Sequence, residues 1–405
     1  MYQLGWVFNS EKHRQDIETI ISLTQDQGTL DELGLGSVRD GFANLFFPGT
    51  TTIQTRAKYF LIVPWLLEEI YKKNEEFGSF SKVLRREEVK VIEELKKREE
   101  QDGLIGQSAG ERLKRMPSSI YWTGLKKYGI VLPDLTLSQL PSYFRRRMRL
   151  ENSSMTRRIT KEDKLADLNE GKENVYLTSG DLPKYPGLSK LNLNLSFKEA
   201  EFLRKRILLK EGNSLLAYIL KDIDENPDFL ELNSFEDMAD YLGDKCPLRE
   251  ALQAALLFDR IMKGAYIRYN YCLSLQASRE IKQEWAEHWR TYLDSLSGLT
   301  FTENSFDQYF KQFYISQPTV QFCREWLRLI NSDVINEKAI DGLLRLREVK
   351  LKGNERSRLQ NTSLAQKTSM PIGIGISGNE IQYLNFRFFV AKRIITDIYN
   401  GLILK

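Results

Sequence analysis

The chain has 405 residues, 41% hydrophobic and 11% aromatic, with a formal net charge of +4. That is apolar material for large cores and more length than one domain usually spans, so two or more substructures are expected and global disorder is not. Two histidines, His13 and His288, and three isolated cysteines, Cys246, Cys272 and Cys323, argue against Ser-His-Asp triads, histidine-rich metal centres, disulfide frameworks and CxxC sites.

The opening MYQLGWVFNSEKHRQD lacks the basic and long apolar regions of a signal peptide. No apolar run reaches the roughly 18–20 residues that cross a bilayer. A cytoplasmic protein without a membrane partner is expected. Ile17, Ile20, Ile21 and Leu23 predict a helix over 10–27, ended by Gly28. LGLGSVRDG (33–41) holds glycines without GxGxxG spacing after a strand, and no GxxxxGK[ST] occurs, so nucleotide binding has little support. Within LFFPGTTTIQTRAKYFLIVPWLL (45–67) a helix is expected from near Thr52 to about Lys73, bent or divided at Pro64. SKVLRREEVKVIEELKKREEQ (81–101) reads as an amphipathic, charge-laced helix.

The stretch 151–195 is poor in periodicity and contains Pro183 and Pro186, which suits a linker or mobile insertion. Further helices are expected over 197–221, 248–281, 282–297, 319–331 and 386–404. PIGIGISGNEIQYLNF (371–386) carries the Gly-Asn turn and β-branched residues of a short hairpin. The fold class is therefore mainly α, a multi-helix globular architecture with at most a small β-hairpin near the C-terminus. Its expected divisions are an N-terminal helical region 1–150 bearing the candidate site, the linker 151–195, and a C-terminal helical domain 196–405.

The small net charge hides a pattern. Arg112 to Lys164 holds thirteen Lys/Arg against four acids, and 338–358 holds seven bases against three. Residues 221–245 hold nine acids against two lysines. Charge runs are usually solvated helix faces. YFRRRMRL, however, interleaves Arg145, Arg146 and Arg147 with aromatic and apolar residues, as a surface that follows phosphates would. Lys352, Arg356, Arg358 and Asn361 are a second candidate DNA-contacting set, with a structural Arg347–Glu348 pair as the alternative.

The 45–67 stretch asks why a segment entering an apolar core begins with so many polar groups. One threonine would suffice to cap a helix. Thr51, Gln54 and Arg56 are expected to line a polar pocket or phosphate site at a helix N-terminus, with Lys58 nearby, Arg39 beside it and Asp40 as the catalytic carboxylate. The plainer alternative pairs Asp40 with Arg39 or Arg56. Tyr121 and Trp122 could stack on a flipped base or belong to the core. Tyr269 and Asn270 could read a base edge or hold a neighbouring loop.

LGW (4–6), DELGLGSVRDGFANLFFPGTTTIQTRAKYFLIVPW (31–65), GLIGQSAGERLKRMPSSIYWTGLKKYGI (103–130), SLLAYIL (214–220), IMKGAYIRYNYCLS (261–274) and LRLREVKLKGNERSRLQNTSLA with LNFRFFVAKRIITDIYNGL resemble a bacterial family long catalogued without a function. The family is similar to proteins encoded in phage-defence loci, and to anti-phage DNA glycosylases that excise glucosylated hydroxymethylcytosine. Departures stand at Lys263, where the family pattern has histidine, at Gln366–Lys367, where a tryptophan is missing, and at Asn385, Phe386, Arg387 and Phe388, in place of an Asp-Phe-Arg-Trp-like element. The resemblance implies hydrolysis of an N-glycosidic bond after base flipping, with modified double-stranded phage DNA as partner and other defence proteins as possible partners. It implies neither metal nor cofactor, because one carboxylate can stabilise the sugar cation. The rival readings are a non-catalytic DNA-binding subunit of a defence complex and, with less support, a nuclease.

Overall fold

The structure, a computed structural model, describes residues 31–73, 79–159, 177–377 and 380–404. The helix expected over 10–27 lies outside them. The described residues form fifteen α-helices and one two-stranded hairpin, so the mainly-α reading holds. The chain divides into two compact units that interleave in sequence. The larger comprises 42–253 with 385–404, the smaller 31–41 with 254–384.

Helix α1 (Gly36–Phe46) starts where Asp31 accepts the Gly36 N–H at 2.5 Å and the Leu33 N–H at 3.2 Å, an acid at the positive helix end. Helix α2 (Tyr59–Lys72) is buried along most of its length and carries Pro64 inside it. It begins seven residues later than the sequence suggests. Over 51–54 the Gln54 side chain takes the Thr51 N–H at 3.2 Å and gives its own N–H to the Gly49 carbonyl at 3.1 Å, filling bonds that a helical backbone would make. The Ala57 N–H is taken by Asp397 at 2.7 Å. The anion at the start of α2 is therefore supplied from the other end of the unit.

Helix α3 (Phe80–Leu95) buries Val83, Leu84, Val91, Ile92 and Leu95 and packs on α2. Helix α4 (Pro117–Lys127) opens with proline at its first position and also packs on α2. Gly124 lets it approach the Gly49 carbonyl, which any Cβ there would strike. Helix α5 (Leu140–Ile159) follows. Of the expected linker, 160–176 lie outside the described residues. Residues 177–195 bury Leu177, Leu191, Leu193 and Leu195, and the Trp65 indole donates to the Pro183 carbonyl at 2.7 Å.

The single helix expected over 197–221 is two: α6 (Phe197–Lys210), opened by a Ser196–Glu199 capping box, and α7 (Leu215–Asp222), capped by Ser214. Gly212 and Ser214 supply the break. Ser234 caps α8 (Phe235–Leu242). The smaller unit is built from most of α9 (Arg249–Ser274), then α10 (Arg279–Ser295), α11 (Asp307–Gln312), α12 (Gln317–Ile330), α13 (Glu337–Lys352) and α14 (Thr362–Gln366). Its hairpin pairs β1 (Gly375–Ser377) antiparallel to β2 (Glu380–Gln382), with Ile376 opposite Ile381. Helix α15 (Phe388–Ile403) belongs to the larger unit and lies along α6, with Gly401 against Ala200.

The polar centre of the larger unit is Arg56 with Asp397, each 7% exposed. Arg56 Nε donates to both carboxylate oxygens at 2.9 and 3.1 Å, Nη1 to the Asp102 carbonyl at 3.0 Å, and Nη2 to Asn194 Oδ1 at 2.8 Å. Burial pushes the Asp397 carboxyl up, while Arg56 and the Ala57 N–H pull it back without cancelling that effect. Asp397→Ala strands the guanidinium in the core and should cost about 3–5 kcal/mol in denaturant titration. A loss below about 1 kcal/mol would mean that the pair does not organise this unit.

Glu88 is 3% exposed and accepts the Ser118 N–H at 2.7 Å at the start of α4. Burial drives its carboxyl up to about 7, against that hydrogen bond, from an ordinary 4.5. A folded value above the unfolded one gives stability that is full below about 4.5 and lost as pH rises through about 7. Glu88→Gln should therefore gain on the native protein between pH 5 and 8, by up to roughly 3 kcal/mol. A pH-independent difference would refute the raised value.

Candidate functional site

The side chains expected to form a pocket at 51–58 face inward. Gln54 is buried and also reaches the Ile120 carbonyl at 3.4 Å. Lys58 is buried against Glu199 at 2.6 Å and donates to the Asn194 carbonyl at 3.0 Å. Burial pulls its ammonium down despite the Glu199 charge. Thr51 is partly buried, with its backbone held by Gln54. Tyr121 is fully enclosed, its hydroxyl accepting the Thr55 N–H at 2.8 Å and donating to the Arg56 carbonyl at 2.9 Å. Trp122 is buried and donates to the Leu135 carbonyl at 2.8 Å. With Arg56 held by Asp397, these groups direct most of their hydrogen bonds to one another and to the backbone.

On α5 the three expected arginines part company. Arg145 and Arg146 are exposed, as is Arg149 three residues on. Arg147 lies over the Tyr71 ring at 4.0 Å, bonds Glu151 at 3.0 Å and approaches Glu68 at 3.3 Å. It fastens α5 to α2.

In the smaller unit Glu348 is fully buried and accepts four hydrogen bonds, from Tyr269 (2.7 Å), Ser357 (2.8 Å), and the Arg358 and Leu359 N–H groups (both 3.0 Å). Burial alone would raise its carboxyl, but these donors hold it below the usual range. Lys352 bonds Glu32 at 2.9 Å, and Arg358 pairs with the same acid. Asn361 caps α14, and exposed Arg356 donates to the Lys352 carbonyl at 3.2 Å. Asn270 is the loop-holder: its amide grips Ile372 N–H at 2.8 Å and Ile372 O at 2.9 Å. The 348–361 segment thus clasps 31–34, while Arg347 bonds the Leu33 carbonyl at 2.8 Å.

Beside that clasp stands Asp40. Arg39 donates to it at 3.2 and 3.4 Å, and the two side chains are 41% and 39% exposed. Burial pulls the Arg39 guanidinium down, yet Asp40, Asp31 and Tyr383 together outweigh it and the net shift is upward. Asp31 accepts the Tyr266 hydroxyl, and the Tyr266 ring lies 5.0 Å from that of Tyr383. Burial, then Asp31, hold the Tyr266 hydroxyl protonated well above its ordinary range, and burial with Asp31 and Asp259 does so for Tyr383. Asp259 accepts the Leu384 N–H at 2.7 Å and pairs with Lys263 at 3.3 Å. Next along α1, a Cβ at Gly41 would strike the Phe313 ring, which presses the helix onto the connection between α11 and α12.

The cluster offers a half-exposed carboxylate held by one arginine, backed by two further acids and two protonated tyrosines. Such a surface suits developing positive charge better than a phosphate. Sequence reasoning placed Arg39 and Asp40 together and missed Asp31, Asp259, Lys263, Tyr266 and Tyr383. Three of these sit in stretches that carried the resemblance, DELGLG and IMKGAYIRYNYC, and Tyr383 follows the hairpin strand. Among the described residues no group of three or more His, Cys, Asp or Glu is placed to hold a metal ion, and no helix is long and apolar enough to cross a membrane.

Residues 1–156 match the model of a family described as a family of unknown function, DUF6361. No curated protein and no solved structure matches the chain.

The contrast on α5 can be tested. Replacing Arg145, Arg146 and Arg149 with alanine should weaken DNA binding broadly and reduce the slope of log affinity against log salt by up to about 3. Arg147→Ala should lower stability through lost stacking and pairing. Equal salt dependence before and after the triple replacement would remove α5 from any phosphate surface.

Proposed function

We propose that this protein binds modified phage DNA and excises glucosylated hydroxymethylcytosine by hydrolysing its N-glycosidic bond, leaving an abasic site. What carries the reading is Asp40: a half-exposed carboxylate beside Arg39, set among Asp31, Asp259, Tyr266 and Tyr383, most of them in segments that resemble the defence glycosylases. The exposed arginines of α5 support it as a source of phosphate contacts.

The chemistry asks little beyond these groups. As the C1′–N bond breaks, its electron pair leaves with the base and the sugar acquires oxocarbenium character. Asp40 stabilises that charge and accepts a proton from the water that attacks C1′, and the released base takes up a proton from solvent. Arg39 holds Asp40 in place through its two hydrogen bonds, while Tyr266 and Tyr383, protonated at neutral pH, give the site fixed hydroxyl dipoles. The target must leave the base stack first.

Purified protein is incubated with phage DNA carrying the modified base and with unmodified DNA, then treated with alkali. Breaks that appear only on modified DNA and only after alkali support excision. Breaks without alkali indicate a nuclease, and tight binding with neither indicates a binding subunit. Asp40→Asn should lower excision by at least about a hundredfold, the scale of losing a principal electrostatic contact, while DNA affinity stays within a few fold. A folded Asp40→Asn protein with full excision activity would move the carboxylate role elsewhere.

A further inference from the structure

Tyr314 follows α11 with φ at +53°, and 64% of it is exposed. The hydrogen bonds around it, Phe313 N–H to Tyr309 O at 2.8 Å, Tyr314 N–H to Lys311 O at 3.2 Å and Ile315 N–H to Phe310 O at 2.9 Å, close the helix through a left-handed residue. Glycine usually fills that position, because any Cβ crowds its own backbone there, and asparagine is the common second choice. A bulky aromatic is an outlier. The fold does not account for the ring: among the described residues its hydroxyl has no hydrogen-bond partner and the ring no aromatic neighbour. The neighbouring Phe313 does the packing, against Gly41 of α1 and against Tyr309 at 5.9 Å. In the chain Tyr314 follows Phe313 and Asp40 precedes Gly41, so both adjoin one contact, Phe313 on Gly41. A strained, solvent-facing aromatic beside a candidate site is a feature that folding alone would remove.

We propose that Tyr314 is a stacking platform for a nucleobase unstacked from bound DNA, held beside Asp40 by the rigid turn at the end of α11. This rests on the reading of the protein as a DNA-acting enzyme. A phenol ring on a fixed backbone stacks on any base, and the left-handed turn fixes its backbone before DNA arrives.

The experiment compares Tyr314→Gly, Tyr314→Phe and the native chain by thermal melting, by binding to a duplex bearing one glucosylated hydroxymethylcytosine, and by alkali-revealed excision. Tyr314→Gly should melt higher, by about 2 °C, as the backbone relaxes. It should also bind or excise at least about tenfold less well, the loss of one stacked base. Tyr314→Phe keeps the ring and should match the native protein in both. Undiminished binding and excision by Tyr314→Gly would overturn the proposal, and so would a lower melting temperature, which would make the ring structural. A native protein that neither binds nor excises would overturn the enzyme reading and this proposal together. A native protein that does both, alongside an equally active Tyr314→Gly, overturns this one alone.

Discussion

Two ions that are each nine-tenths hidden from water set the terms for everything around them. Arg56 and Asp397 lose their hydration on folding, and their mutual attraction compensates only if the remaining donors and acceptors are also met. The larger unit is arranged to meet them. The Asp102 carbonyl and Asn194 amide take the two terminal nitrogens of Arg56, and the Ala57 N–H completes Asp397. One pair thus ties α15, the loop before α2, and the segments near residues 102 and 194 into a single polar knot. Lys58 repeats the device at one remove, since its partner Glu199 also receives the Ser196 N–H at 2.7 Å and so closes the start of α6.

The smaller unit uses the same principle with a carboxylate at the centre. Glu348 organises the turn after α13 through four donors, and Arg347 holds the backbone that leads into α1. These satisfied interior charges sharpen the reading of the exterior ones. Among the arginines and lysines that looked like a phosphate footprint in the sequence, Arg147, Arg347, Lys352 and Arg358 are structural once partners are assigned. Arg145, Arg146 and Arg149 on α5 are exposed, and the Asp40–Arg39 pair is partly so. Function is read from that remainder.

Local pattern carried the fold class well. The amphipathic spacing of α3, the Ser-x-x-Glu box before α6 and the β-branched residues of the hairpin strands are signals confined to a few neighbouring residues. The start of α2 shows where such reading stops. Three threonines advertise a cap near Thr52, but the helix begins at Tyr59 because its anion is Asp397, and the Gln54 side chain stabilises the non-helical path in between. The candidate site divides in the same way. Arg39 and Asp40 are adjacent and could be paired on sight, whereas Asp31 meets Tyr266 only after 235 residues of intervening chain have folded. Burial was equally illegible: nothing local distinguishes Arg147, laid across Tyr71, from Arg146 on the next position of the same helix.

The separation of 341 positions between Arg56 and Asp397 also orders events on the ribosome. At about 5–20 residues per second, Arg56 leaves the peptidyl-transferase centre roughly 17–70 s before its counter-ion is polymerised. For that interval the nascent 42–253 segment lacks the group that neutralises its interior guanidinium and anchors the start of α2. The smaller unit has every one of its residues by position 384, before Asp397 is translated. The larger unit therefore completes its interior charge pair only when α15 is made.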